Sequence, residues 1–120
     1  MMGLGAGAFG QVWLVKNKNN GEVMAMKVIS KERLRKDDLT TYALTEKDIM
    51  RKIKHPFIIS LIHSFQTPDD FFLLMEYCSG GDLSTIIQKC GKVPEDLAKV
   101  YIAEVLLAIE WLHQQDIAYR

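Results

Sequence analysis

Three glycines near the start of the chain have a spacing that suits phosphate binding. They lie in the stretch LGAGAFGQV, residues 4–12, where Gly5, Gly7 and Gly10 form the pattern Gly-x-Gly-x-x-Gly. Glycine lets the backbone approach a ligand closely, because it has no side chain to block the approach. Two unrelated phosphate sites use this spacing: a strand-to-helix turn that holds a dinucleotide, and a hairpin that covers the phosphates of ATP. The elements on either side of the glycines decide between them.

The dinucleotide alternative requires a strand before the glycines, a helix after them and an acidic residue about 20 positions further on. Four residues precede Gly5, and the segment after Gly10 has the alternation of a strand. Glu22 stands at a suitable distance but adjoins the turn 19–21. We therefore expect the hairpin, with strands over 11–16 and 22–30 forming a meander.

A lysine and a glutamate further along the chain fit the hairpin. Lys27 lies in the second predicted strand, within Met24-Ala25-Met26-Lys27, where a lysine can reach the phosphates of ATP. Glu46 lies on the same face of a predicted helix as Ala43 and Met50. A carboxylate on an apolar helix face is costly unless it is paired. We expect Lys27 to be its partner.

The remaining chain alternates between helical and extended patterns. The helix that carries Glu46 is predicted to begin near Lys36 and to end at His55-Pro56, because proline cannot continue a helix. Further predicted elements are strands over 57–66 and 71–77, a short helix over 83–89 and a long helix from 94 to about 115. The long helix is apolar around most of its circumference, as in helices inside a larger body. We expect the 120-residue chain on its own to aggregate or to bind dye.

Composition excludes several classes of function. Fifteen basic residues balance fifteen acidic ones, so no overall charge points to nucleic acid or to an anionic membrane. No segment suits a membrane span or a secretory signal. Neither the cysteines nor the histidines have metal-ligand spacing, so we expect no metal site, free thiols and a cytoplasmic or nuclear location. A basic cluster, expected to form a solvated face or loop, consists of Lys31, Arg33, Arg35 and Lys36.

Together these motifs resemble the protein kinases, and most closely the serine/threonine kinases of the AGC group. The glycine loop, the lysine strand and the glutamate are followed in order by KHPFII, LLMEYCSGGDL and YIAEVLLAIEWLH. The resemblance covers essentially the whole chain. It implies an α+β fold, with a kinase-like N-lobe over residues 1–77 (an antiparallel sheet plus one main helix, its first strand truncated). Residues 78–120 would form the end of the hinge and the first two helices of the helical C-lobe.

The resemblance also implies an ATP site and a role for each of its residues. Lys27 would contact the α- and β-phosphates and would be held by Glu46 when the helix is docked. The loop over the phosphates would consist of Gly5, Ala6, Gly7, Ala8, Phe9 and Gly10, with the main-chain N–H groups of the last three nearest the β- and γ-phosphates. Magnesium is the second implied cofactor.

At the adenine end, Leu4, Val12 and Ala25 would enclose the base, and Met75 would be the gatekeeper. The main chains of Glu76 and Cys78 would bond the adenine edge, so that their side-chain types would matter little. Asp82 would bind the ribose hydroxyls, attract a basic substrate residue or cap a helix. An aromatic tail motif is expected to dock near Leu39 and Tyr42; many relatives have a histidine that reads an activation-loop phosphate where this chain has Tyr42.

The resemblance places the catalytic aspartate and both metal ligands beyond Arg120. We therefore expect an ATP-binding portion of a kinase that phosphorylates protein substrates, with no activity in the 120 residues alone. The alternative is a truncated, non-catalytic module that binds a nucleotide or a partner kinase. Intact Lys27, Glu46 and glycines favour the kinase, because a pure interaction module would not need them.

Overall fold

A computed structural model describes residues 2–6 and 10–118 of the chain. Within these residues the elements are β1 (Met2–Ala6), β2 (Gly10–Lys16), β3 (Val23–Ser30), α1 (Lys31–Lys36), α2 (Thr40–Lys52), β4 (Leu61–Gln66), β5 (Asp70–Glu76), α3 (Leu83–Cys90) and α4 (Glu95–Gln114). The predicted α+β class is confirmed: five antiparallel strands and a main helix, followed by further helices.

The chain forms two compact units. The first consists of Met1–Lys54 and Ile59–Tyr77, and the second of His55–Ile58 and Cys78–Arg120. The first unit contains the sheet with α1 and α2, and the second contains α3 and α4. The division into kinase domains at residues 77 and 78 stays a prediction.

The sheet of the first unit has the strand order β1-β2-β3-β5-β4, with every neighbouring pair antiparallel. The turn between β2 and β3 closes through two main-chain hydrogen bonds, from Asn17 to Glu22 at 2.7 Å and from Gly21 to Asn17 at 2.9 Å. Gly21 has a φ of 73°, a left-handed conformation that glycine adopts without strain. The predicted meander over β2 and β3 is confirmed.

The basic cluster after β3 lies on helix α1 and not in a loop, and Arg33, Arg35 and Lys36 are exposed on it, as expected for a solvated face. Ser30 caps the helix, because its Oγ accepts a hydrogen bond from the Arg33 N–H at 3.3 Å. Leu34 is 1% exposed and packs with Ile29 and Leu73 in the core. The helix ends where Asp38 takes a φ of 55°, so that α2 begins at Thr40 instead of Lys36. Two features of the sequence could have predicted α1: the capping residue Ser30, and the single apolar residue Leu34 among charged ones.

Strand β4 begins at Leu61, later than the predicted Phe57. The residues after α2 turn instead of extending, because the Phe57 N–H donates to Nδ1 of His55 at 3.1 Å and the Ile58 N–H donates to the His55 carbonyl at 3.2 Å. The His55 side chain thus competes with a strand ladder for the Phe57 N–H. Strand β5 follows after a turn in which the Thr67 N–H donates to the Asp70 carbonyl at 2.9 Å.

The second unit confirms both helices predicted in it. Helix α3 begins after Asp82 and ends at Gly91, which has a φ of 77°. Helix α4 begins after Pro94 and buries Ala108 and Leu112. Its large exposed apolar residues are Leu97, Val100, Ile102, Val105, Leu106 and Leu107. Among the described helices, none is long and apolar enough to span a membrane.

Candidate nucleotide site

The strand register gathers four of the predicted ATP residues on one face of the sheet. Val12 on β2 is directly opposite Lys27 on β3, and Ala25 on β3 is directly opposite Met75 on β5. Directly opposite residues share a face, as do residues two apart on one strand. Ala25 is 9% exposed, whereas the other three are half-buried. The face therefore combines apolar side chains with one ammonium group.

Lys27 and Glu46 line the same cavity, which also lies under the first turns of α2. The lining consists of Lys27, Ile29, Leu34, Leu39, Tyr42, Ala43 and Glu46. The expected ion pair is not formed: within residues 2–6 and 10–118, the one ion pair shorter than 4.0 Å joins Lys99 to Glu95 on α4. Glu46 is exposed, so its carboxylate is solvated and does not need the partner that burial would demand.

The glycine loop is described in part. Gly5 and Ala6 belong to β1, whereas Gly7, Ala8 and Phe9 lie outside the described residues. Gly10 begins β2 opposite Ile29, and a Cβ atom at this position would lie 1.7 Å from the Val28 carbonyl oxygen. Two backbones therefore approach each other at Gly10 in a way that only glycine permits. Leu4 is 38% exposed and lies between Gly3 and Gly5, where the β1–β2 register shifts.

At the end of β5, Glu76 contacts the residue that precedes β4. The Glu76 N–H donates to the Ser60 carbonyl at 3.2 Å, and the Ser60 N–H donates to Oε1 of Glu76 at 3.0 Å. The sequence contained no signal for this side-chain contact, because the two residues are 16 positions apart. Cys78 is exposed and belongs to the second unit.

Asp82 caps helix α3. Its Oδ1 accepts hydrogen bonds from the Thr85 N–H at 2.8 Å and from the Thr85 hydroxyl at 2.7 Å. The hydroxyl and then the main-chain N–H stabilise the carboxylate and hold the pKa of Asp82 below its usual value of 3.8. The capping role is observed, and the ribose role stays a prediction.

The predicted docking residues, Leu39 and Tyr42, line the cavity that Lys27 and Glu46 share. A second cavity lies beside it between α2 and the sheet, lined by Ile29, Ala43, Leu44, Lys47, Phe71 and Leu73. Each has a volume of about 10 Å³ open to a water molecule, which is too small for an aromatic ring.

Contacts between α1 and the β4–β5 hairpin were missed at the sequence level. The Nζ atom of Lys31 lies 2.8 Å from Oε1 of Gln66 and 4.8 Å from the centre of the Phe71 ring. Arg51 on α2 similarly donates from Nη2 to the Ser64 hydroxyl on β4 at 2.8 Å. Both contacts join residues far apart in the chain, so the local pattern of residues could not predict them.

The described residues do not fit a magnesium ion. Among them, no three histidine, cysteine, aspartate or glutamate side chains are grouped as metal ligands.

Comparisons with known proteins point to one family. The family described as "Protein kinase domain" matches residues 1–120. The chain is 44% identical over 117 residues to "Protein kinase 3" of Dictyostelium discoideum, 46% identical over 119 residues to "Serine/threonine-protein kinase nrc-2" of Neurospora crassa, and 46% identical over 120 residues to "Serine/threonine-protein kinase SCH9" of Saccharomyces cerevisiae. In each case the match covers 98% of this chain but only 13%, 19% and 15% of the respective relative.

Proposed function

Because the chain belongs to the protein kinase family, with serine/threonine kinases of the AGC type as its relatives, we propose that it forms the ATP-binding part of a kinase. That kinase phosphorylates serine or threonine residues of protein substrates. The observation that supports this proposal is the register that gathers Val12, Ala25, Lys27 and Met75 on one sheet face. This face offers apolar contact for a base and one cation for phosphates.

The proposed roles follow from the chemistry of each side chain. Val12, Ala25 and Met75 bury apolar surface against the adenine ring, a contribution of about 25 cal/mol per Å². Lys27 places its ammonium against the α- and β-phosphates, whose negative charge it offsets. When magnesium is bound to ATP, it supplies further neutralisation of the phosphate charge. The backbone at Gly10 lies against β3, so the start of β2 is held next to the strand that carries Lys27.

The proposed role of Glu46 is to hold the Lys27 ammonium in position. Both line one cavity but are not paired, so we propose that α2 moves or Glu46 changes rotamer when nucleotide binds. The ion pair then fixes the Lys27 ammonium at the phosphates.

The 120 residues alone are proposed to bind ATP without transferring its phosphate. The sequence contains no Asp-Phe-Gly, and phosphoryl transfer depends on metal-borne charge and a positioned proton acceptor. The alternative is a non-catalytic module that binds a nucleotide or a partner kinase. We also propose a cytoplasmic location, supported by the exposed free thiols of Cys78 and Cys90.

The test is calorimetric titration of the 120-residue chain with ATP and magnesium. Lys27→Met is expected to weaken binding about tenfold or more, because a charge-assisted hydrogen bond contributes about 1.5–3 kcal/mol. Lys18→Met, in the exposed β2–β3 turn, is the matched control and should leave binding within twofold. Equal effects of the two substitutions, or no binding by the wild type, would reject the proposed ATP site in this chain. Turnover of a basic peptide that disappears in Lys27→Met would reject the proposed inactivity.

We also propose that an aromatic tail segment docks near Leu39 and Tyr42, where α2 lies against the sheet. Support comes from the apolar lining of Ile29, Leu73 and Phe71, with Lys31 and Lys47 beside it to attract an acidic flank. The cavity is small, so α2 must move outward to admit a ring.

A fluorescent peptide with phenylalanine and aspartate residues tests this docking. Phe71→Ala is expected to weaken its binding at least fivefold, because Phe71 lies on the face that also carries Ile29. Phe65→Ala is the control, because Phe65 stacks on Phe72 on the opposite face at a ring distance of 4.7 Å. Equal losses in both variants would contradict the proposed location.

A further inference from the structure

All three asparagines of the chain, Asn17, Asn19 and Asn20, lie in the turn between β2 and β3. An asparagine can lose its side-chain amide without an enzyme, when the main-chain nitrogen of the next residue attacks Cγ of the side chain. Asn20 is followed by Gly21, which has no Cβ atom to obstruct this attack. Both residues are exposed, so water reaches them. The neighbour of Asn20 therefore favours the reaction.

The side chain of Asn20 is folded back towards the nitrogen that would attack it. Its Oδ1 accepts a hydrogen bond from the Glu22 N–H at 2.9 Å, and this Asx turn spans Gly21. Attack on Cγ places negative charge on Oδ1. The Glu22 N–H already points at this oxygen, so it stabilises the charge as an oxyanion donor does.

Lys16 brings a positive charge to the same peptide unit. Its Cε atom lies 3.5 Å from the position that a Cβ atom would take at Gly21, and its ammonium group is bonded to that carbon. A nearby cation favours loss of the proton from the Gly21 nitrogen, which must precede the attack. This N–H donates to the Asn17 carbonyl at 2.9 Å. Gly21 is exposed, however, and an exposed turn opens at little cost in free energy.

We propose that Asn20 is a site of spontaneous deamidation. The Gly21 nitrogen gives its proton to solvent and bonds to Cγ of Asn20, the bond from Cγ to the side-chain nitrogen breaks, and ammonia leaves with a proton from solvent. Water then opens the resulting succinimide ring at either carbonyl. The products are aspartate and isoaspartate, in which the main chain continues through the former side chain. One water is consumed, one ammonia is released, and nothing is oxidised or reduced.

Both products change the turn. Each replaces a neutral amide by a carboxylate next to Glu22 in the sequence. Isoaspartate also adds a methylene group to the main chain between Asn17 and Glu22, whose hydrogen bond of 2.7 Å closes the turn. The longer turn loosens the end of the β2–β3 ladder, where Lys16 is opposite Val23. The inference does not depend on the proposed ATP site.

The experiment follows the 120-residue chain during incubation in a mildly alkaline buffer. Tandem mass spectrometry of its peptides locates the conversion, and electron-transfer fragmentation distinguishes isoaspartate from aspartate. Asn17 is an internal control, because its Oδ1 accepts from the Asn19 N–H at 2.9 Å in the same kind of turn but Lys18 follows it. Asn20 should react about tenfold faster or more, because only its neighbour leaves the attacking nitrogen open. Equal conversion of Asn17 and Asn20 would overturn the inference.

Two further comparisons test the role of the folded turn. Asn20 should react at least as fast in the folded chain as in the chain unfolded in urea, because the Glu22 N–H and Lys16 assist only in the folded turn. Lys16→Met removes the charge and should slow the reaction at least twofold. Lys18→Met, in the same exposed turn, is the matched control and should change the rate less than twofold. Circular dichroism verifies that both variants are folded.

Two results would contradict this role. A rate in the folded chain that is well below the rate in urea would show that the turn protects Asn20. Equal rates in Lys16→Met and Lys18→Met would show that the charge beside Gly21 does not contribute. Either result overturns the inference, whereas the proposed ATP site is unaffected by both.

Discussion

Lys27 on β3 and Glu46 on α2 line one cavity without forming an ion pair within 4.0 Å. The first unit thus holds Lys27 in place through the sheet, independently of Glu46. The register with Val12 and Leu73 positions Lys27 from both neighbouring strands. Glu46 on α2 is exposed and contributes no ion pair to this placement of Lys27.

Removing the Glu46 charge should therefore leave the stability of the nucleotide-free chain almost unchanged. Glu46→Gln is expected to alter the free energy of unfolding by less than about 0.5 kcal/mol, as for an exposed surface substitution. Glu32→Gln, an exposed glutamate on α1, is the control and should behave alike. Urea unfolding followed by circular dichroism measures both. A loss of more than about 1 kcal/mol confined to Glu46→Gln would show that the pair is already formed.

Gly10→Ala should be strongly disruptive. The new methyl group would lie 1.7 Å from the Val28 carbonyl oxygen, so β2 must move away from β3 at a cost of about 1–3 kcal/mol. The shift also moves Gly10 itself, and ATP affinity should fall with stability. Gly80→Ala is the matched control, because a Cβ there meets no atom within 4 Å. Unfolding and ATP titration of both variants test this, and a tolerated Gly10→Ala would contradict the observed backbone approach.

Leu34→Ala should unfold the first unit more readily than any surface truncation. Leu34 is 1% exposed in the core between α1 and the sheet, and deleting a buried leucine side chain costs about 2–5 kcal/mol. Leu83→Ala is the control, because Leu83 is 48% exposed. The urea midpoints should separate clearly, with the midpoint of Leu83→Ala close to that of the wild type. Equal midpoints would mean that α1 does not contribute to the core.

Sequence patterns predicted the elements and residues that follow local rules. Strands β2 and β3, the cap at Asp82 and Pro94 before α4 were all apparent from alternation, capping preference or proline geometry. Apolar alternation also implied which side chains share a face. Ala25 and Lys27 were expected at one site because the chain resembles the protein kinases.

The features that the sequence did not predict depend on competing hydrogen-bond acceptors or on contacts between residues far apart in the chain. Strand β4 begins at Leu61 and not at Phe57, because Nδ1 of His55 accepts a hydrogen bond from the Phe57 N–H. Strand propensities take no account of such a contact. The hydrogen bond from the Ser60 N–H to the Glu76 carboxylate depends on how the chain before β4 lies against β5. The missing Lys27–Glu46 pair depends on where α2 sits against the sheet. Such contacts exist only once the tertiary arrangement is known.

The cap of α3 should make this helix sensitive to acid. Because the folded-state pKa of Asp82 lies below the usual value of 3.8, the cap stabilises α3 fully above that value and is lost as pH falls through the lower folded pKa. Thr85→Val removes the hydroxyl, the largest cause of the shift, and keeps the main-chain N–H. The pKa should then rise towards 3.8 and remain below it. A carbon-13 titration of the Asp82 carboxyl measures this; an unchanged pKa would show that the hydroxyl does not contribute.

The exposed apolar side of α4 should bind a hydrophobic dye. Ile102 is 60% exposed and Leu106 is 61% exposed, although both are aliphatic, and contiguous apolar patches of this kind promote association. Ile102→Lys combined with Leu106→Lys is expected to lower anilinonaphthalene sulfonate fluorescence at least twofold while the helix content by circular dichroism is retained. The control is Ala108→Lys, which places a charge at a 9% exposed position and should unfold α4 locally and raise dye binding. Strong dye fluorescence that persists in the Ile102 and Leu106 variant would place the apolar surface elsewhere in the chain.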